Sequence, residues 1–134
     1  MTSLTPSLEG VTANLMVDDV ARTVSYYRDV LGFEPLVTVP ETVPLQWALL
    51  KRDDVALMFQ ESHSLIAQYP VLKDRVPGGG LSLFITVRDV EGLFASVLGK
   101  AEILEEPHDT FYGMREFAML DCNGLVLTFA ERIA

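Results

Sequence analysis

The run Asn14-Leu15-Met16-Val17-Asp18-Asp19-Val20-Ala21-Arg22-Thr23-Val24-Ser25-Tyr26-Tyr27-Arg28-Asp29-Val30-Leu31-Gly32-Phe33 changes hydrophobic period partway along, and that change decides the fold. Residues 11–17 have strand composition, with Val11, Leu15 and Val17 bounded by Gly10 and the Asp18-Asp19 pair. Asp19 is placed to cap a helix, because a short carboxylate there accepts from the free N–H groups of a first turn. Val20, Val24, Tyr27, Val30 and Leu31 then recur at helical spacing, and Gly32 is a suitable left-handed terminator. Three extended segments follow, about 33–39, 44–51 and 54–60, with a turn at Asp53-Asp54. The order is βαβββ.

The same order returns at a constant spacing. Leu15-x-Val17-x-Asp19-Val20 is echoed by Ile85-x-Val87-x-Asp89-Val90, an offset of 89 − 19 = 70. That offset also lays Leu45–Leu50 over Arg115–Leu120, and Val55–Glu61 over Leu125–Glu131. In the second copy Asp89 caps a shorter helix carrying Val90, Leu93, Phe94 and Val97, ending near Gly99. Extended segments at about 102–107, 114–121 and 124–130 come next, and Asn123-Gly124 is a strong hairpin signal. One offset across several elements marks two copies of a unit too small to bury its apolar face alone. The chain reads as one α+β domain over 1–134, with modules at 10–62 and 80–132. The connector 63–79 holds Leu65, Ile66 and Tyr69, then Pro70, Pro77 and a glycine run, and reads as a helical turn followed by a flexible hinge.

At 134 residues and 49% apolar content the chain can bury a substantial core. Ten Lys and Arg against nineteen Asp and Glu give a net charge of −9, which disfavours nucleic acid and anionic membranes as partners and is compatible with a cationic ligand. The opening MTSLTPSLEG has neither a basic start nor an apolar run, and no stretch has the length of a membrane span, so a cytoplasmic protein is expected. The single cysteine, Cys122, excludes an internal disulfide and a cysteine-cluster metal site.

The run from Asn14 to Phe33 resembles the opening module of the vicinal oxygen chelate superfamily, which takes in glyoxalases, ring-cleaving dioxygenases, fosfomycin-modifying enzymes and bleomycin-binding resistance proteins. Tyr26-Tyr27-Arg28-Asp29-Val30-Leu31-Gly32-Phe33 is the specific part. Tyr112–Phe117 and Asp121–Phe129 resemble the last hairpin, with Cys122 where the family usually has proline. The resemblance implies two tandem βαβββ modules forming an open barrel-like cleft, and a homodimer in which modules pair across chains.

Enzymes of this superfamily hold a divalent metal with His, Gln or Glu on the first and last strands of each module. Matching by motif puts those positions at Thr12 and Met58, and at Ser82 and Thr128. A thioether is soft and neutral hydroxyls bind such metals weakly, so no metal or other cofactor is expected. A one-residue slip would bring only apolar neighbours to these positions, and on the wrong face. Alternation makes Leu15, Val17, Leu57, Phe59, Ile85, Val87, Leu127 and Phe129 helix-facing. It leaves Thr12, Asn14, Met16, Ala56, Met58, Gln60, Ser82, Phe84, Thr86, Val126, Thr128 and Ala130 toward the cleft. His63 falls in the connector and His108 in the acidic loop Glu105–Asp109, neither at a family ligand position. Glu61 and Glu131, related by the same offset, are candidates for an exposed or cation-binding role.

Asn14, Trp47, Met58, Gln60, Phe84, Phe111, Tyr112, Met114, Phe117 and Thr128 are therefore the candidate ligand-binding residues. Periodicity leaves open which face Trp47 and Phe117 occupy. Aromatic faces and thioethers suit flat or cationic organic molecules. The expected function is metal-free binding of an aromatic or cationic antibiotic or natural product, of the bleomycin-resistance type. The alternative is a glyoxalase- or dioxygenase-like enzyme acting through unpredicted ligands, or without metal through Glu61, Glu131, His108 or Tyr112.

Overall fold

The computed structural model describes residues 5–133. The first module comprises β1 (Asn14–Val17), α1 (Val20–Leu31), β2 (Glu34–Val39), β3 (Trp47–Arg52) and β4 (Val55–Glu61). A short helix α2 (Ser62–Gln68) and a 3-10 turn (Pro70–Leu72) lead to the second, with β5 (Ser82–Thr86), α3 (Val90–Val97), β6 (Glu102–Asp109), β7 (Met114–Leu120) and β8 (Val126–Arg132). Each module is a four-stranded sheet, ordered β1-β4-β3-β2 and β5-β8-β7-β6, in which the first strand runs parallel to the last and the others antiparallel. The two sheets stay separate and close no barrel.

Helix α1 forms where the period predicts it. Asp19 accepts from the Arg22 N–H at 3.0 Å, and Gly32 ends the helix with φ of 70°, a left-handed conformation that suits glycine. Its buried stripe of Val20, Thr23, Val24, Tyr27 and Leu31 faces Leu15, Val17, Leu57 and Phe59. In the second module Asp89 caps α3 at the Gly92 N–H, and Val90 and Val97 join the same continuous core with Phe117, Met119 and Leu127.

The modules are joined by more than shared oil. Tyr27, fully buried on α1, donates its hydroxyl to Asp121 of the β7–β8 turn at 2.6 Å. Asp121 also accepts from the N–H groups of Asn123 and Leu125, so one buried carboxylate organises the turn and receives the other module's helix. Burial, then the nearby Asp121 charge, pushes the Tyr27 phenol far above its ordinary range, which keeps it a donor.

Three sequence readings move. β1 starts at Asn14, leaving Thr12 exposed ahead of the strand. β6 runs through Asp109, so His108 lies on a strand where a loop was expected. The connector is helical over Ser62–Gln68, and Gly78 is a close approach within the expected hinge: a Cβ there would come within 2.8 Å of the Asn123 carbonyl oxygen.

Candidate functional site

Cross-strand pairs share a face, so the register assigns every strand residue to the helix side or to the helix-free side. Trp47 pairs with Gln60, whose neighbour Phe59 is in the core. Trp47 therefore lies on the helix-free side, with Met58, Gln60 and, through β1, Asn14. Phe117 pairs with Phe129, is 0% exposed, and packs against Phe94 of α3 with ring centroids 5.3 Å apart. It belongs to the core and not to the ligand face, because β7 presents Met114, Glu116 and Ala118 away from the helix instead.

On the first sheet the helix-free side carries an ordered amide chain. Asn14 Nδ2 donates to Gln60 Oε1 at 2.8 Å. Gln60 Nε2 donates to Ser64 Oγ and Gln68 Oε1 at 3.0 and 3.1 Å, and Gln68 passes a bond to the Tyr69 hydroxyl. Both Gln60 amide hydrogens are thus engaged on α2, its oxygen points to Asn14, and Trp47 is its neighbour across the strand.

The second sheet is acidic and aromatic on the same side. Glu116 is only 6% exposed and accepts from the Tyr112 hydroxyl at 2.5 Å, the length of a charge-assisted O–H···O bond. That bond, with some burial, raises the Tyr112 phenol above its ordinary range, so the proton stays on the tyrosine. His108 is the strand partner of Glu116, and Glu105 that of Ala118. Phe84, beside Thr128 on the adjoining strands, is 55% exposed, and Phe111 is fully exposed and edge-on to Tyr112 at 5.0 Å. Met114 lies on this side but is buried.

Glu116 escaped the sequence reading. The alternation that turns it away from the helix becomes legible only once Phe117 is fixed in the core. Glu61 and Glu131 are engaged elsewhere. Glu61 accepts from the N–H groups of His63 and Ser64 at the start of α2, and Glu131 from those of Asp89 and Val90 at the start of α3. Partial burial acts to raise the Glu61 pKa, but these donors outweigh it and the net shift is down. The Val90 and Asp89 donors likewise lower Glu131. His63 is exposed against Glu61, and His108 is exposed with Nδ1 on the Glu106 carbonyl.

The four positions that would hold a metal do not fit one. Met58 pairs with Asn14, Ser82 with Val126 and Thr128 with Phe84, while Thr12 precedes β1. None brings a carboxylate or imidazole to the others, and among the described residues no three His, Cys, Asp or Glu side chains converge on a common point. No helix among the described residues is long and apolar enough to cross a membrane.

Two four-stranded mixed sheets, each backed by a helix, define the class of protein. The model of the glyoxalase/bleomycin resistance protein/dioxygenase superfamily matches residues 11–129, and the chain belongs to that superfamily. Solved structures share the fold at low identity. TioX from Micromonospora sp. ML1 is 20% identical with a TM-score of 0.73, over 93% of this chain and 100% of that one. A glyoxalase/bleomycin resistance protein/dioxygenase from Nocardioides is 15% identical with a TM-score of 0.77, over 97% and 87%. The virulence protein STM3117 from Salmonella typhimurium is 17% identical with a TM-score of 0.72, over 96% and 100%. No curated protein sequence matches.

Proposed function

We propose that this chain is a metal-free binding protein that sequesters an aromatic or cationic organic molecule, of the bleomycin-resistance type. The observation that carries this reading is the helix-free side of the second sheet, where a buried carboxylate under Tyr112 shares a face with the exposed ring of Phe84. Rings attract a flat cation through their faces, by about 0.5–2 kcal/mol each, and a carboxylate nearby supplies the counter-charge. Trp47 gives the first sheet a stacking surface, on the same side as the Asn14–Gln60 amide pair. The residue types at Thr12, Met58, Ser82 and Thr128 favour binding over metal-assisted turnover. A homodimer completes the groove in this reading, with modules of two copies enclosing the ligand.

Titration with bleomycin-type glycopeptides and planar cationic drugs, followed by Trp47 fluorescence, tests the proposal. Saturable quenching by at least one compound is expected. No response from any of them overturns it. Stoichiometric zinc, nickel, manganese or iron in protein purified without chelator would favour a metal enzyme instead.

A further inference from the structure

A carboxylate taken almost out of water needs donors for both of its oxygens, and Glu116 has a donor for only one. It is 6% exposed, and the Tyr112 hydroxyl occupies Oε2 at 2.5 Å. Oε1 receives no hydrogen bond, and among the described residues no Lys, Arg or His forms an ion pair with the carboxylate. The basic groups around it are engaged elsewhere or stand apart. Arg115, its neighbour in sequence, holds Asp109 at 2.7 Å, and His108, its partner on β6, sets Nδ1 against the Glu106 carbonyl. Arg132, at the end of β8, is exposed and makes no ion pair. No fully enclosed side-chain oxygen or nitrogen among the described residues lacks a partner, so Oε1 reaches the surface, and β7 presents it on the helix-free side.

The surroundings leave space for a donor from outside the chain. Ala130 lies opposite Glu116 on β8 and Ala118 follows it along the same face of β7, so both flanks are methyl-sized. Glu105, the partner of Ala118, adds a second carboxylate to that side. Phe84 is in register with Thr128 and Ala118, two strands across from Glu116, and its ring is 55% exposed. Two strand spacings and a two-residue step put the Cα atoms of Phe84 and Glu116 roughly 12 Å apart. A hydrogen bond takes up about 3 Å of that, which leaves roughly 9 Å between a ring laid on Phe84 and a nitrogen donating to Glu116.

We propose that Glu116 Oε1 is the docking point for a protonated nitrogen that carries hydrogen, a primary ammonium or a guanidinium, set about five carbons from an aromatic ring resting on Phe84. The assignment rests on the binding role proposed above and narrows its ligand from cations in general to N–H cations. A quaternary ammonium brings the same charge, but its methyl groups hold that charge off and leave Oε1 without a donor, whereas an N–H closes to about 2.8 Å. For an acceptor already stripped of most of its water, the missing bond is worth about tenfold or more in affinity. Tyr112 acts as a positioning residue, because its hydroxyl fixes Oε2 and so turns Oε1 outward.

Two matched probes test the selection, phenylpentylamine and its N-trimethylated analogue, each titrated into the whole chain while the backbone amide signals of Glu116 and Ala130 are followed by NMR. The amine is expected to bind about tenfold or more tightly than the analogue. Glu116→Gln, which keeps the shape and the Tyr112 contact, should erase that preference. Equal affinities for the two probes overturn the selection while leaving a binder of aromatic cations intact, since ring stacking and charge serve both alike. A preference that survives in Glu116→Gln overturns it by moving the N–H contact to another residue. No shift with either probe overturns it as well, and the Trp47 titration with larger compounds then still decides the sequestration reading by itself.

Discussion

Facing away from the helices, the first sheet offers amides and an indole, Asn14, Gln60 and Trp47, tied into α2 through Ser64 and Gln68. The equivalent side of the second sheet offers Glu116 beneath Tyr112, with Phe84 exposed and no helix following β8 among the described residues. The glutamates at 61 and 131 repeat this divergence. One caps the helix that follows its strand, and the other reaches back to the helix of its own module. Duplication has preserved the backbone plan and the helix-facing residues while the open faces went separate ways. The core tolerates little change because each side chain there has packed neighbours, whereas the open face is constrained only by what it meets.

Substitutions can break this contrast. Phe117→Ala should cost about 3–5 kcal/mol, as large aromatic truncations in cores do, and should leave little folded protein for any ligand assay. Trp47→Ala should cost about 1 kcal/mol and yet abolish the ligand response, so the two aromatics separate stability from binding. Urea denaturation at constant m-value measures the first effect, and calorimetric titration replaces the lost fluorescence for the second. Tyr27→Phe removes the bond to Asp121 across the module boundary and should cost about 2 kcal/mol, the usual size for a hydrogen bond to a charged group. Unfolding that splits into two transitions in this variant would show that the bond couples the modules.

Glu116→Gln keeps the shape and removes the charge, and should weaken a cationic ligand about tenfold while leaving a neutral aromatic one nearly unchanged. Equal losses for both ligands would deny the second face its electrostatic character. The smallest effect concerns acid. Glu61 and Glu131 both have lowered folded pKa values, so their contribution is complete above the unfolded glutamate value of about 4.3 and fades as pH falls through the folded values. Glu131→Gln should therefore lower the neutral plateau slightly and leave stability below the folded pKa nearly unchanged, so that the acid side of a stability–pH curve flattens.

The module order, both helices, the caps at Asp19 and Asp89 and the turns at Asp53 and Asn123 were legible because each is set by residues close together in sequence. So was the helix-facing set, since alternation within a strand needs no partner. The face of β3 and β7 was not legible. Ala48 and Leu50 fill a core as readily as Trp47, and only register against β4 decides between them. Phe117 was misplaced for that reason, and Glu116, its neighbour, was missed with it. The Tyr27–Asp121 contact spans 94 positions and left no trace in local pattern.

That separation has a consequence for how the molecule comes into being. The first module's own sheet and helix are complete in sequence by Glu61, but the acceptor for its buried tyrosine is made only sixty residues later (121 − 61). During synthesis neither the acceptor for that phenol nor the second module's share of the common core is available until the last hairpin has left the ribosome. Forming this contact closes a long loop, which carries an entropic cost. Chains halted before residue 121 would lack both the Asp121 acceptor and part of the shared core, and would stay open to chaperones and proteases.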